Sequence, residues 1–213
     1  MKFNKSACLL YAVTDRSFTG EKTLEQMVRE ALASGITMLQ LREKDLDERH
    51  FLEEALMMRK LTRYYGVPLI INDNVEIALR CQADGVHVGQ DDISAAEARL
   101  AIGPDMILGV TAKTVEQAKL AVAQGADYLG SGAVFGSRTK KEALPMTLDT
   151  LSAICESVSI PVAAIGGITA SNVTKLSGTG IAGAAVVSGI FGQSDISLAV
   201  RTLKEKLIKV VNP

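Results

Sequence analysis

The chain has 213 residues, a length that a single α/β barrel domain fills without splitting. Hydrophobic residues make up 47% and charged residues 22%, ordinary values for a soluble globular protein that buries enough surface to fold without disulfides or a structural metal. The formal net charge of −1 excludes a global field that recruits nucleic acid or an anionic membrane, so any anion site must be built locally.

Near the start, the sequence MKFNKSACLLYAVTDR carries one apolar run over residues 7–13. The run is too short to span a membrane and leads into Thr14-Asp15-Arg16 with no small-residue cleavage site, so it reads as the first buried strand. No segment reaches the length of a transmembrane helix. Cys8, Cys81 and Cys155 are isolated and without CxxC spacing, which predicts free thiols in a reducing, cytoplasmic compartment.

Along the chain, eight short apolar runs alternate with amphipathic stretches. Strands are predicted over residues 8–13, 37–42, 67–73, 84–89, 106–111, 128–134, 160–166 and 183–189, each bounded by Gly, Pro, Asp, Asn or another polar residue. Helical spacing covers residues 23–34, 50–65, 114–124, 149–158 and 197–210, and Gly35, Gly66 and Gly125 close the first three. The phrases ALASGITMLQ, ALRCQADGVHV and AVAQGADYLG repeat helix, turn, strand. A recurring strand–helix unit implies parallel strands with right-handed crossovers, and eight of them predict one closed (βα)8 barrel over residues 1–213. The longest structure-poor stretch, residues 132–145, predicts a functional loop.

In such a barrel the active site lies at the carboxyl ends of the strands. After the second strand, period-two alternation puts Gln40, Arg42 and Lys44 on one side, offering an amide and two cations to the mouth. After the third and fourth come Asn72-Asp73-Asn74 and Gln90-Asp91-Asp92. Asp73 and one Asp of the second group can share a cation, and so few carboxylates suit Mg²⁺, which keeps waters and takes phosphate oxygens. Asn74 and Ser94 read better as helix caps. The fifth strand ends in Thr111, and the loop after the sixth, Gly136-Ser137-Arg138-Thr139-Lys140-Lys141, interleaves hydroxyls with cations as a lid over phosphate would. The turns Ile165-Gly166-Gly167-Ile168 and Val187-Ser188-Gly189-Ile190 follow the last two strands, where barrels bind phosphate on backbone N–H groups and a helix start. His50 reads as a surface residue and His87 as barrel filling.

The segments YAVTDR, QLREK, INDNVEIALRCQADGVHVGQDD, GVT, TKKEA, AIGGI and VSGIF, in this order, resemble the thiamine phosphate synthase family over nearly the whole chain. The resemblance implies an Mg²⁺-dependent transferase that joins a pyrimidine diphosphate to a thiazole phosphate, releasing pyrophosphate by a dissociative route. It implies pyrimidine diphosphate contacts at Gln40, Leu41, Arg42, Glu43, Lys44, Asn72, Thr111 and Lys140, with Arg42, Lys44 and Lys140 catalytic. It implies metal ligands at Asp73 and Asp92, and thiazole phosphate contacts at Ser137, Arg138, Thr139, Gly167, Val187 and Ser188. The implied partners are small phosphorylated substrates, with neither nucleic acid nor membrane, and a homo-oligomer is allowed. Three positions depart from the family pattern: Gly-Ser-Arg-Thr replaces a Pro-containing Thr-x-Thr loop, Thr111 replaces Ser, and Asp91 replaces Glu. The related thiazole tautomerase shares the thiazole phosphate site but not the full pyrimidine diphosphate site. A non-catalytic phosphate-ligand sensor on the same barrel is the reading from a different class.

Overall fold

The computed structural model describes residues 3–136 and 145–212. Eight strands form one closed parallel barrel: β1 (Leu10–Val13), β2 (Met38–Leu41), β3 (Leu69–Asn72), β4 (Gly85–Val88), β5 (Ile107–Thr111), β6 (Tyr128–Gly132), β7 (Val162–Ile165) and β8 (Gly183–Val186), with β8 returning to β1. All eight predicted strands are present, each a little shorter than its apolar run.

The helices are α1 (Leu24–Ser34), α2 (Glu48–Tyr65), α3 (Val75–Arg80), α4 (Ala95–Ile102), α5 (Val115–Ala123), α6 (Leu148–Ser157), α7 (Ser188–Phe191) and α8 (Ile196–Val211). Their starts follow local chemistry. Thr23 and Gln26 form a capping box at α1, Ser94 and Glu97 form another at α4, and Asn74 accepts from Ile77 N–H at α3. The short α3 and α4 have no extended apolar stripe; their caps were legible, and for α3 also the helical start of ALRCQADGVHV. The link from β7 to β8 departs from the expected repeat. It contains only a 3-10 turn, Val173–Leu176, because the stretch TASNVTKLSGTG is dominated by residues that favour turns over helix.

Alternation along each strand separates two apolar layers. Outward residues such as Leu39, Leu41, Ile71 and Leu129 pack against the helices. Inward residues, among them Tyr11, Met38, Ile70, Tyr128 and Ala185, fill the barrel, with Phe3 stacked on Tyr128 at a ring separation of 5.4 Å. The polar tips of this filling point to the mouth and form its floor.

A reciprocal contact recurs at the base of the barrel. Thr37 N–H donates to Leu10 O at 2.9 Å, and Leu10 N–H donates to Thr37 Oγ1 at 2.8 Å. Asp84 makes the same exchange with Leu69, and Asp127 makes it with Leu108; in both, the side chain accepts at 2.8 Å. Arg59 and Arg99 brace the two aspartates. The pairs β1–β2, β3–β4 and β5–β6 are thereby latched. At the matching place in β7–β8 stands Ala182, which keeps only the backbone half, Ala182 N–H to Val162 O at 2.8 Å. Among the described residues no helix is long and apolar enough to cross a membrane. The three cysteines are free thiols.

Candidate active site

The end of β2 shows how alternation selects ligand-facing side chains. Gln40 is buried and faces the mouth, while Leu41 is buried on the opposite side, in the shell against the helices. Beyond the strand, Arg42 and Lys44 line the mouth. Glu43 turns away and accepts from Arg16 Nε and Nη2, both at 3.2 Å, and Glu54 binds the same guanidinium. Leu41 and Glu43 therefore contribute no side chain to the mouth. Of the expected five-residue contact segment, Gln40, Arg42 and Lys44 present side chains to the mouth, because successive residues of an extended chain point to opposite sides.

β3 and β4 deliver the carboxylates. Asp73 has φ of +61°, a left-handed conformation that a short polar side chain tolerates. Its N–H donates to His87 O at 2.8 Å, which ties the ends of the two strands together. Asp73 Oδ2 lies 2.5 Å from Lys44 Nζ. Asp92 Oδ2 accepts from Gly89 N–H at 2.7 Å, and Asp73 is a near enough neighbour to act on its carboxyl. Burial, then the Asp73 carboxyl, pushes the Asp92 pKa upward. Two carboxylates this close repel when both are charged. Asp91 lines the same cavity.

The floor is polar and its side chains are bonded in series. Gln40 Nε2 meets Tyr11 Oη at 2.5 Å, and Tyr11 Oη meets Tyr128 Oη at 2.8 Å. His87 Nδ1 lies 3.0 Å from Tyr128 Oη, and His87 Nε2 lies 3.0 Å from Thr111 Oγ1. Burial lowers the His87 pKa to about 4, so the ring is neutral near pH 7. With both ring nitrogens engaged, His87 is barrel filling, as its place among valines predicts, and it also forms part of the floor. His50 is exposed.

The opposite side is made of turns. Gly166 and Gly167 have φ of +102° and +62°. A Cβ on Gly167 would stand 2.4 Å from Phe135 O, so the residue is held to glycine both by conformation and by packing. Asn172 Nδ2 donates to Gly167 O at 2.8 Å and Asn172 Oδ1 accepts from Thr169 N–H at 2.8 Å, clamping the turn. Val187 precedes α7 and gives it no side-chain cap. A helix start follows β8 only, since the β7 turn leads into the 3-10 segment.

Gln40, Arg42, Lys44, Asn72, Asp73, Asp92, Thr111, Gly167, Val187 and Ser188 share one cavity of about 380 Å³. Ser137, Arg138, Thr139 and Lys140, with the predicted lid, lie outside the described residues. Sequence reasoning missed Tyr11, His87 as a lining residue, and Lys113, all of which face the cavity. The available clue was inward parity: Tyr11 lies two residues before Val13, and Lys113 two residues beyond Thr111.

Residues 10–190 match the family model described as thiamine monophosphate synthase. The chain belongs to the thiamine monophosphate synthase family. A thiamine-phosphate synthase of Ruminiclostridium cellulolyticum is 50% identical over 196 residues, 92% of this chain and 93% of its own. Thiamine-phosphate synthase 2 of Streptococcus pneumoniae is 42% identical over 209 residues, 98% of this chain and all of its own. The solved thiamine phosphate pyrophosphorylase from Pyrococcus furiosus superposes with a TM-score of 0.90 at 37% identity, covering 97% of this chain and 98% of that one. A 3-hexulose-6-phosphate synthase, at 14% identity and a TM-score of 0.65, shares the fold alone.

The family resemblance implies Mg²⁺, and the donor set fits it. Asp73 and Asp92 bring two carboxylates together beside a cation-lined cavity. Among the described residues no group of three or more His, Cys, Asp or Glu side chains could enclose a metal. A pair of carboxylates completed by water and phosphate oxygens matches the way Mg²⁺ binds at phosphate-transfer sites.

Proposed function

We infer that this chain is a transferase that joins 4-amino-2-methyl-5-hydroxymethylpyrimidine diphosphate to 4-methyl-5-(2-phosphoethyl)thiazole, giving thiamine monophosphate and pyrophosphate. The observation that carries this reading is the division of one cavity. Arg42, Lys44, Asn72, Asp73 and Asp92 form a charged side suited to a diphosphate, and Gly167, Val187 and Ser188 form a backbone-rich side suited to a monophosphate. The family relationship supports it independently.

In the reaction the methylene C–O bond breaks and the diphosphate leaves with the electron pair. The thiazole nitrogen then supplies its lone pair to the methylene carbon. Arg42 and Lys44 stabilise the charge that develops on the leaving oxygen, and Asn72 and Thr111 orient the diphosphate. Mg²⁺ held by Asp73 and Asp92 would supply further neutralisation of the diphosphate. Lys140 is assigned to the same diphosphate, and Ser137, Arg138 and Thr139 to the thiazole phosphate, by the family resemblance alone. No described side chain is placed as a nucleophile, and the chemistry needs none: positioning and electrostatics suffice. The cytoplasm is the compartment in which the free thiols and this substrate class belong together.

Incubating the protein with both substrates and Mg²⁺, then detecting thiamine phosphate and pyrophosphate in equal amounts, tests the reading. Product that needs both substrates and disappears with a chelator supports it. Absence of product with both substrates and Mg²⁺ present overturns it.

A further inference from the structure

The floor of the cavity crosses the barrel from β2 to β5 through three buried side chains that the reaction above does not use. Their placement depends on missing side chains elsewhere. A Cβ at Gly109 would lie 2.2 Å from Tyr128 Cζ and 2.5 Å from His87 Nδ1, and one at Gly130 would lie 3.1 Å from His87 Cε1. Both glycines have inward parity on their strands, and together they open the space in which Tyr128 and His87 meet.

We propose that Tyr11, Tyr128 and His87 are positioning residues: they form a one-way hydrogen-bond relay from Gln40 to Thr111 that sets which atoms those two residues present to the pyrimidine diphosphate. The direction follows from requiring each buried phenol proton to be bonded within the floor. An amide nitrogen only donates, and a neutral phenol has one proton. Gln40 Nε2 donates to Tyr11 Oη, so the Tyr11 proton goes to Tyr128 Oη at 2.8 Å. The Tyr128 proton then goes to His87 Nδ1 at 3.0 Å. His87 must carry its own proton on Nε2, which donates to Thr111 Oγ1 at 3.0 Å. The Thr111 proton is left for the cavity, and so is the Gln40 carbonyl oxygen.

The opposite order is reached by turning the Gln40 amide over. Thr111 would then donate to His87 and keep only lone pairs for the cavity, while Gln40 would offer an NH₂ group. The substrate suits only the first order. A diphosphate contains acceptors only, so Thr111 must donate, and an aminopyrimidine carries an NH₂ that needs an acceptor, which Gln40 Oε1 supplies. Both ends of the relay demand the same direction. Because the five groups are linked in series, the loss of one hydroxyl frees both ends.

The direct test is the tautomer of His87, which does not depend on the functional reading. The chain has only two histidines. Nitrogen-15 NMR of the whole protein labelled at histidine should show His87 as a single neutral tautomer with Nε2 protonated and Nδ1 bare. A His87 ring protonated on Nδ1 overturns the relay. The kinetic arm rests on the function proposed above. Tyr128→Phe keeps the ring and removes the proton donor to His87. The KM for the pyrimidine diphosphate should rise about tenfold, the worth of one buried hydrogen bond, with the thiazole phosphate KM within about twofold of the parent. Tyr11→Phe should do the same, and the double variant should be no worse than either single one, since groups in one chain are not additive. Multiplicative losses in the double variant, or an unchanged pyrimidine KM in both singles, overturn the relay. Absence of turnover in the unmodified protein sinks the functional reading instead, and leaves the NMR result to stand for the relay.

Discussion

Lys44 Nζ and Asp73 Oδ2 are 2.5 Å apart, so a lysine already neutralises one of the two carboxylates assigned to Mg²⁺. The pair puts Lys44 in two opposed roles. It competes with a metal for Asp73, and it attracts the diphosphate. Lys44→Met should tighten binding of Mg²⁺ to the protein alone, measured by calorimetry. It should also lower kcat/KM for the pyrimidine diphosphate by about tenfold or more, the worth of a charge-assisted hydrogen bond. Unchanged or weaker Mg²⁺ binding, or an unchanged kcat/KM, would show that Lys44 does not hold this double position.

Asp92 is anchored by Gly89 N–H, lines the cavity and feels the Asp73 carboxyl beside it. Asp92→Ala should reduce kcat by more than about a hundredfold while the urea-unfolding midpoint barely moves. Asp73→Ala should match it. An Asp92→Ala protein with normal turnover and unchanged dependence on Mg²⁺ would pass the ligand role to Asp91, which lines the same cavity.

The phosphate side is best probed at Ser188. Ser188→Ala should raise the KM for the thiazole phosphate several-fold, about 1 kcal/mol of lost hydrogen bonding, and leave the pyrimidine KM unchanged. Equal changes in both would refute the division of the cavity. Gly167→Val is a poorer probe. Its Cβ would meet Phe135 O at 2.4 Å, so that variant should lose stability as well as phosphate affinity, with a visibly lower thermal midpoint.

Two buried groups should give stability opposite dependences on pH. Burial raises the Glu43 pKa from 4.5 to about 7, against the pull of Arg16. The fold therefore favours protonated Glu43, and its contribution is complete below 4.5 and lost as pH rises through about 7. Burial lowers the His87 pKa from 6.5 to about 4, so its contribution is complete above 6.5 and lost as pH falls through about 4. In the overlap the two slopes oppose each other. Glu43→Gln should remove one of them, leaving an unfolding free energy that climbs with pH between about 4.5 and 6.5. Urea unfolding across that window checks this; a slope of the opposite sign in Glu43→Gln would refute the balance.

The barrel was legible in the sequence because its strands are buried on both faces and read as apolar runs closed by polar or turn residues. The carboxylates and glycine turns were legible because they stand directly after those runs. Leu41 and Glu43 came from a contiguous motif; the alternation that selected Gln40, Arg42 and Lys44 turns both side chains away from the mouth. The floor was illegible for another reason. Tyr11, His87 and Tyr128 come from three separate strands, and only closure of the barrel brings their polar atoms within 3.0 Å. Nothing in a linear reading distinguishes a tyrosine that caps the filling from one that merely adds volume.

The missing side-chain latch at Ala182 leaves the base of the barrel unevenly braced. Asp73, Asp92 and Thr111 stand on strands whose bases are cross-braced by Asp84 or Asp127, each with its arginine. Gly167 and Ser188 stand on β7 and β8, where the brace is reduced to a single backbone contact. A small divalent cation asks for near-octahedral ligands at fixed distances, and little error is tolerated there. The reinforcement thus lies beneath the side of the mouth proposed to hold the cation, where an error of position would cost most, and the side proposed to hold a phosphate by backbone has the fewer braces.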